Sequence, residues 1–406
     1  MSRRLSDRQR VSWLRLIRTP NVGPASFRGL IDRFGSADAA LEMLPELMIS
    51  GGARRIVKIP SVSEIEDEIA AAGDNDALFA AVGEPEYPLA LAQIDAPPPI
   101  IAIRGDPAAL ARPCVSMVGA RNASSAGLSI ARSMAKEMGR NGWTVVSGLA
   151  RGIDAAVHQG SLSTGSVAVL AGGLDRPYPP QNVGLLDDMI AAGGAAISEM
   201  PFGWEPRAQD FPRRNRLIAG LGLGLVVVEA AQRSGSLITA RLAAEIGRTV
   251  FAVPGSPLDP RAAGPNGLLK QGATIATHAA DVLEHLAPMV ERPPPVEEHL
   301  ARPETASASI RNESERDRLV EALSPTPTPI DDLVRHSGLH PAVVSMILLE
   351  LDLAGRLERH VNGAVSLISP ASRAPHTAKQ PILRPERRPF GRLGPTLAGR
   401  NFRRGT

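Results

Sequence analysis

The 406-residue sequence contains little that would support a disulfide framework or a membrane anchor. Its one cysteine, Cys114, excludes an intrachain disulfide and a cysteine-rich zinc site. No apolar run approaches the length of a membrane span, and the opening MSRRLSDRQR is not followed by an apolar signal segment. We therefore expect a soluble, cytoplasmic protein that has no contact with a membrane.

Three common ligand-binding patterns are also missing. No GxxxxGK[ST] loop occurs, which argues against an ATP-driven motor. The eight histidines are scattered without metal-ligand spacing, so we expect no metal site. The stretch GARNASSAG (119–127) is not GxGxxG, and the next apolar run ends in Ser147-Gly148, where a dinucleotide site would place an acid. We therefore expect no nicotinamide, flavin or other cofactor.

The net charge of +3 comes from the end of the chain. Residues 371–406 contain nine Lys/Arg and one Asp/Glu, which leaves residues 1–370 with a balance of −5. The composition of this basic tail, rich in Pro, Gly and Arg, predicts disorder. Because the rest of the chain is mildly acidic, the global charge does not predict nucleic-acid binding. Any anion site must come from a local cluster of cations.

The middle of the chain alternates short apolar runs with helical stretches. The runs are rich in Val and Ile without period-two polarity, as expected for parallel strands that are buried on both faces. They are VSMVG (115–119), WTVVSG (143–148), SVAVLAGG (166–173), AAISEM (195–200), GLVVVEA (224–230) and TVFAVPG (249–255). This series predicts an α/β fold with a doubly wound, mostly parallel sheet over residues 79–288. Ligands of such sheets bind beyond the carboxyl ends of the strands.

Smaller units flank this core. Residues 1–78 show helical spacing that is interrupted at PNVGP, a pattern typical of a helix-hairpin-helix or SAM-like module. Its turn has only Gly23, so a structural role is favoured over DNA contact. Residues 289–312 are predicted to form a Pro/Ala-rich linker. Residues 313–370 are predicted to form a winged helix, with a hairpin that turns at Asn362-Gly363.

Polar loops that follow the predicted strands carry candidate anion-binding groups. FPRRNR (211–216) places three arginines at the start of a predicted helix, where the macrodipole normally attracts acids. The SGS stretch (234–236) precedes another helix and offers amides and hydroxyls to a phosphate. Since these loops share one sheet edge, we expect a polyanion site there. Its candidate residues are Gly119, Arg121, Ser147, Gly148, Arg151, Phe211, Arg213, Arg214, Asn215, Arg216, Ser234, Gly235, Ser236 and Lys270.

One further pair leaves two alternatives open. Asp154 and His158 lie four residues apart on one predicted helix, which permits an acid–base pair. The favoured interpretation is structural: Asp154 caps the helix and His158 packs against it.

These motifs together resemble the DNA-processing protein A (DprA, also called Smf) family. The resemblance runs in order over residues 80–275 through VGARNAS, SGLARGIDAAVHQGSL, VLAGGLDRPYPPQN, ISEMPFG, FPRRNRLIAGL, VVVEAAQRSGSLITARLAAEIGR, VFAVPGS and NGLLKQGA. It implies an extended Rossmann-like core with a basic pocket for single-stranded DNA. The GxR arginine of the family matches Arg121, FPxRNR matches residues 211–216, and Lys270 lies in the stretch that matches NxLIxxGA.

The resemblance also implies partners. Family members are homodimers that protect incoming DNA and deliver the strand to the recombinase RecA during natural transformation, displacing or coexisting with single-strand-binding protein. The family is not regarded as enzymatic, so we expect no catalytic residues. Aromatic side chains make up only 3% of the sequence. Phe211 or Trp204 could stack a base, and Phe211 could equally fill the core.

Two alternatives compete with a DNA-binding function. Nucleotide phosphoribohydrolases of the LOG type have a similar Rossmann-like core and carry PGGxGTxxE with a catalytic Glu. The comparable loop here is QRSGSLITA, and Ala240 stands at the position of that acid, which argues against the enzyme. A protein-interaction scaffold would be favoured if the arginines pointed away from one another.

The predicted winged helix is atypical. Its presumed recognition helix, PAVVSMILLELDLAG (341–355), contains no Lys or Arg, although helices that enter a DNA groove normally carry some. We therefore predict that this helix packs or contacts protein. The basic tail could attract nucleic acid nonspecifically.

Overall fold

The computed structural model describes residues 4–291, 313–360 and 363–368. A helix continues to Glu291, past the predicted start of the linker, and the rest of that linker lies outside the described residues. The basic tail and Asn362 of the predicted hairpin turn also lie outside them. In the part of the chain that is described, no helix is both long and apolar enough to cross a membrane.

Two sheets occur among the described residues, one of nine strands and one of three. The nine strands of the central sheet are β1 (Ala77–Ala81), β2 (Ile100–Gly105), β3 (Cys114–Val118), β4 (Thr144–Ser147), β5 (Ser166–Val169), β6 (Ala195–Ser198), β7 (Gly224–Val227), β8 (Thr249–Ala252) and β9 (Thr274–Ile275). The three strands of the small sheet are β10 (Thr328–Pro329), β11 (Leu357–Arg359) and β12 (Ala364–Leu367).

Helices precede, surround and follow the central sheet. The N-terminal module contains α1 (Asp7–Arg18), α2 (Pro24–Phe34), α3 (Ala37–Ser50) and α4 (Val62–Asp74). The core contains α5 (Leu89–Ala92), α6 (Ala108–Ala111), α7 (Ser125–Arg140), α8 (Ile153–Ser161), α9 (Val183–Ala191), α10 (Asp210–Leu221), α11 (Gly235–Glu245), α12 (Ala263–Lys270) and α13 (Ala279–Glu291). The C-terminal module contains α14 (Glu313–Ala322), α15 (Ile330–Ser337) and α16 (Pro341–Leu353).

The central sheet has the strand order β1-β2-β6-β5-β4-β3-β7-β8-β9. Its strands pair in parallel except for β1 with β2 and β2 with β6, which are antiparallel. The chain steps from β3 outward to β6 and then returns to the other side of β3 to form β7 and β8. This topology confirms the doubly wound prediction. It places the switch point between β3 and β7, where ligands of such sheets bind.

Apolar helices cover both faces of the sheet. On one face, Leu217 and Leu221 of α10 and Leu242 of α11 pack on strand residues such as Val227. The other face packs against α7, α8 and α13. The six predicted strands are confirmed, and their buried Val and Ile residues explain why they lack period-two polarity.

The two flanking modules pack against each other through α16. Met346, Leu349 and Leu353 join the apolar core of the N-terminal module. Asp352 accepts a hydrogen bond from Ser26 Oγ at the start of α2 (2.5 Å) and from Arg359 Nε (2.8 Å). The packing role predicted for the helix of 341–355 is therefore confirmed.

Candidate nucleic-acid interface

A cavity of about 600 Å³ opens at the switch point, and we call it the switch-point pocket. Its walls are the loop after β3, the loop after β7 and the start of α10. Eight of the candidate residues line it: Gly119, Arg121, Phe211, Arg214, Asn215, Ser234, Gly235 and Ser236. It is also lined by three charged residues that were not among those candidates: Asp154, Arg233 and Arg261.

The loop after β3 is fixed at both ends. A Cβ atom at Gly119 would lie 2.5 Å from the side chain of Ile153, so only glycine lets β3 approach α8 this closely. Ser124 caps α7, and its backbone N–H donates to Glu229 at the end of β7 (2.9 Å). Arg121 is exposed between these fixed points, and its guanidinium lies over the Phe211 ring, 5.6 Å from the centroid.

Arg214 forms the buried floor of the pocket. Its Nη1 donates to the carbonyl oxygens of Gly148 (2.7 Å) and Val169 (2.5 Å). A Cβ atom at position 148 would lie 2.6 Å from this guanidinium, so the glycine makes room for the arginine. Burial lowers the pKa of Arg214 to about 10, Asp154 opposes this shift and Arg121 adds to it. Arg214 therefore remains a cation at neutral pH.

The start of α11 supplies hydrogen-bond donors. Ser234 is the N-cap, and its Oγ accepts from the backbone N–H of Ser236 (3.4 Å) and lies 2.7 Å from the Ser236 hydroxyl. The first amides of this helix adjoin the pocket at Gly235 and Ser236. The helix dipole and these donors favour an anion such as a phosphate.

The pocket is electrically positive although the chain outside its tail is acidic. Arg121, Arg214, Arg233 and Arg261 line it, against the single carboxylate of Asp154. Arg261 is paired with Asp259 (2.9 Å) at the rim. Burial raises the pKa of Asp154 while Arg214 lowers it, and the net shift is upward. Guanidinium groups bind phosphate oxygens in bidentate fashion, so the arrangement suits a phosphodiester.

Two of the three candidate arginines of FPRRNR, Arg213 and Arg216, do not line the pocket. Arg213 Nε donates to Glu199 Oε1 (2.9 Å), and Arg216 is ion-paired with Oε2 of the same carboxylate. The Glu199 side chain is only 5% exposed and needs this compensation. Burial raises the pKa of Glu199, but Arg216 and Arg213 together outweigh burial and hold it below its ordinary value. Arg216 instead lines a separate cavity of about 430 Å³ between the modules.

The other four candidate residues also lie outside the pocket lining. Ser147 is buried and donates to the carbonyl of Met117 (2.7 Å), and Gly148 lies behind Arg214. Arg151 is exposed in the turn before α8. Lys270 is exposed at the last residue of α12. It is separated from the beginning of that helix by about 10 Å, given the α-helical rise.

Helix α10 begins one residue before the FPRRNR segment. Asp210 occupies its first turn and accepts from Trp204 Nε1 (3.0 Å) and from the backbone N–H of Arg207 (2.8 Å). An acid therefore does meet the positive end of the helix dipole. Phe211 is half-buried and lines the pocket, so it is not a simple core residue.

The structural interpretation of His158 is confirmed, whereas that of Asp154 is wrong in one respect. His158 Nδ1 lies 2.8 Å from Ser166 Oγ. Burial, followed by the charge of Arg214, lowers the pKa of His158 to about 3, so its ring is neutral. The N-cap of α8 is Gly152, without a side-chain hydrogen bond. Asp154 accepts instead from the backbone N–H of Ala150 (3.3 Å) and faces Arg214 in the pocket.

Arg233 and Arg261 were not among the candidate residues, although their positions in the sequence could have identified them. Arg233 directly precedes the SGS stretch, and Arg261 follows β8, so both lie in loops at the carboxyl edge of the sheet. The edge rule that selected Arg121 applies equally to them. Within the described residues, no three His, Cys, Asp or Glu side chains are grouped to hold a metal ion.

Comparison with known protein families covers all three modules. The family model described as DNA recombination-mediator protein A matches residues 79–287. Models described as a DprA-like N-terminal HHH domain and a DprA winged helix domain match residues 7–71 and 301–363. The chain belongs to the DprA family. The resemblance stated from the sequence is thereby confirmed, as are the helix-hairpin-helix and winged-helix predictions.

Named DprA relatives support the same assignment. Protein Smf of Escherichia coli is 37% identical over 296 residues, which cover 72% of this chain and 78% of that protein. The DNA processing protein DprA of Bacillus subtilis is 41% identical over 208 residues, which cover 50% of this chain and 70% of that protein. The X-ray structure of DprA from Streptococcus pneumoniae superposes with a TM-score of 0.56 at 29% identity, covering 70% of this chain and 98% of that one.

Proposed function

We propose that this DprA family member binds single-stranded DNA in the switch-point pocket, protects it and delivers it to the recombinase RecA during natural transformation or recombination. The observation that carries the proposal is the set of four arginines that line the switch-point pocket together with the first residues of α11. Because the first 370 residues are net acidic, such a cluster indicates a polyanionic ligand.

The pocket suits a single strand better than a duplex. Strand-binding grooves combine cations for the phosphates with a flat side chain on which an unstacked base can lie. Arg121, Arg214 and Arg233 supply the cations, and Phe211 supplies the ring at the same site. The winged helix offers no obvious duplex reader, because α16 packs on the N-terminal module.

The proposed partners follow from membership of the DprA family. We propose that the protein acts as a homodimer in the cytoplasm. There it would displace single-strand-binding protein from the strand, or coexist with it, while RecA is loaded. Light scattering of the full chain and a RecA strand-exchange assay with coated DNA would test these two parts separately.

We further propose that the protein is not an enzyme. The LOG-type alternative is not favoured, because Ala240 is buried in α11 where those enzymes carry their catalytic Glu. Release of a nucleobase from nucleoside monophosphates by the purified protein would contradict this proposal.

The DNA proposal is tested by fluorescence anisotropy with labelled oligodeoxythymidylate of increasing length and with a duplex of the same length. We expect tighter binding to the single strand, and affinity that falls about tenfold or more in Arg121→Glu and in Arg233→Glu.

The matched control is Lys136→Glu, which reverses an exposed charge on α7 away from the pocket. This variant should lose little affinity at moderate salt. Equal losses in all three variants would point to nonspecific attraction, and unchanged binding in Arg121→Glu and Arg233→Glu would exclude the pocket as the site.

A further inference from the structure

An exposed aromatic ring lies next to the switch-point pocket without lining it. Tyr178 is 51% exposed in a chain that has only two tyrosines. Its ring meets Phe211 edge to face, with the centroids 5.8 Å apart and the planes at 69°. Phe211 in turn lies beneath the guanidinium of Arg121. Arg121, Phe211 and Tyr178 therefore form a row of contacts that runs from the pocket to the loop after β5.

The loop that carries Tyr178 is tied to its neighbours. Asn182 Nδ2 donates to the carbonyls of Leu149 (2.8 Å) and Ala150 (3.1 Å) in the loop after β4. Asp175 accepts from the backbone N–H of Gly203 in the loop after β6 (2.8 and 3.0 Å to its two oxygens). The Tyr178 ring is therefore held at the surface by a braced loop, which reduces the entropy lost when a ligand binds.

Tyr178 has the properties of a stacking platform rather than of a core residue. The T-shaped contact with Phe211 holds the Tyr178 ring on one side, while about half of the residue is open to solvent. A nucleobase that stacks on the open part would cover apolar area, and stacking is tolerant of base identity because every base has a π face.

We propose that Tyr178 is a second base-binding platform, which takes the strand out of the switch-point pocket across the carboxyl end of β5. The proposal rests on the single-strand function proposed above, and it specifies the side on which the DNA leaves the pocket. Phosphates contact the arginines of the pocket, and a base beyond Phe211 stacks on Tyr178.

The test compares Tyr178→Ala and Tyr178→Phe with the wild-type full-length protein in anisotropy titrations against oligodeoxythymidylates of increasing length. We expect Tyr178→Ala to bind long oligonucleotides about tenfold more weakly and the shortest bound oligonucleotides as the wild type does. Tyr178→Phe should retain wild-type affinity at every length, because it keeps the ring.

A salt series separates stacking from charge. Loss of a stacking contact should leave the slope of log affinity against log salt unchanged, whereas Arg121→Ala should make the slope shallower. Ultraviolet cross-linking of 5-iododeoxyuridine at each oligonucleotide position should yield a Tyr178 adduct at a position displaced from the one that cross-links to Phe211.

Ile56→Ala, which truncates an exposed apolar side chain of the N-terminal module, is the matched control and should bind as the wild type does. Equal affinity of Tyr178→Ala and wild type at all lengths would overturn the platform. A loss shared by Tyr178→Phe, or a changed salt slope in Tyr178→Ala, would also overturn it. If the wild-type protein binds no single strand, the proposed function itself fails; the platform fails alone when binding persists but ignores Tyr178.

Discussion

At the scale of single residues, the FPRRNR segment shows how neighbouring arginines take different roles. On a helix, residues three apart share a face, and adjacent residues point about 100° apart. Arg213 and Arg216 are three apart and pair with Glu199, whereas Arg214 points to the floor of the pocket. From the sequence alone, the helical period could have predicted that two of the three arginines share one face of the helix and that the third lies on another. Their partner could not be predicted, because Glu199 comes from a different loop.

The ion pairs of Glu199 predict an acid-dependent loss of stability. Its pKa in the folded protein lies below the ordinary 4.5, so its stabilising contribution is present above pH 4.5 and is lost as the pH falls through the folded-state value. Glu199→Gln should lower the free energy of unfolding at pH 7 by about 1–3 kcal/mol, because hydrogen bonds to charged partners are lost. The difference from the wild type should shrink toward pH 3, as measured by urea unfolding.

The control for this comparison is Glu205→Gln, whose side chain is 76% exposed. It should change the unfolding free energy little at any pH, as exposed ion pairs do. If the difference in unfolding free energy between the wild type and Glu199→Gln stayed constant from pH 7 to pH 3, it would contradict the assigned role of Glu199. The variant is compared with the wild type at each pH because Asp154 also titrates. Burial raises the pKa of Asp154, so its contribution to stability depends on pH in the opposite direction.

The single cysteine gives a probe of the folded core. Cys114 is buried at the start of β3, and burial raises the pKa of its thiol to about 12. Only the thiolate reacts, so a disulfide reagent at pH 8 should label the native protein very slowly and the urea-unfolded protein completely. Rapid stoichiometric labelling without denaturant would show that β3 is accessible and would contradict its place in the core.

At the scale of elements, the sequence predicted the strands of the parallel series, β3 to β8, better than the antiparallel strands β1 and β2. The six Val/Ile-rich runs became β3 to β8, because strands covered on both faces need continuous apolar runs. Strands β1 and β2 were missed. The run ALFAA of β1 lies at the sheet edge and contains three alanines, which have low β-propensity. The two-residue strands β9 and β10 are too short to leave a periodic pattern.

The docking of α16 explains the absence of Lys and Arg from that helix. The helix has two apolar faces: Leu348 and Leu351 pack within the winged helix, while Leu349 and Leu353 pack on the N-terminal module. A helix buried on both sides has no free face for a DNA groove. The composition of the helix predicted that it packs, but the identity of its partner required the structure.

Gly51 offers a test of this docking. A Cβ atom at Gly51 would lie 2.0 Å from the carbonyl oxygen of Glu350 and 2.7 Å from the Cβ of Ala354. The φ angle of Gly51 is −63°, so alanine is acceptable to the local backbone and any cost must arise from the contact with α16. We expect Gly51→Ala to lower the free energy of unfolding by about 1–3 kcal/mol, as overpacked sites do, measured by urea denaturation.

The control is Gly73→Ala in α4, where an added Cβ meets nothing within 4 Å. Alanine there should be neutral or slightly stabilising, since it favours a helix over glycine. If both variants have wild-type stability, the close approach of the two modules does not exist in solution.

At the scale of the whole molecule, function depends on where charge is placed rather than on how much there is. The first 370 residues are net acidic, yet four arginines line the pocket at the switch point of the sheet. The polar loops that follow the predicted strands indicated from the sequence that the anion site lies at this edge of the sheet. It could not show that exposed Lys270 and Arg151 lie outside the pocket lining, because loop and helix lengths fix a position only after folding.

The most direct test of single-strand binding in the switch-point pocket is the salt dependence of affinity for oligodeoxythymidylate. Each phosphate contact to a single strand contributes about 0.7 to the slope of log affinity against log salt. The double variant Arg121→Ala/Arg233→Ala should therefore have a slope shallower than that of the wild type by about 1.4. Lys136→Ala should keep the wild-type slope. An identical slope in the double variant and the wild type, with affinity preserved, would contradict the assignment of this pocket to the DNA backbone.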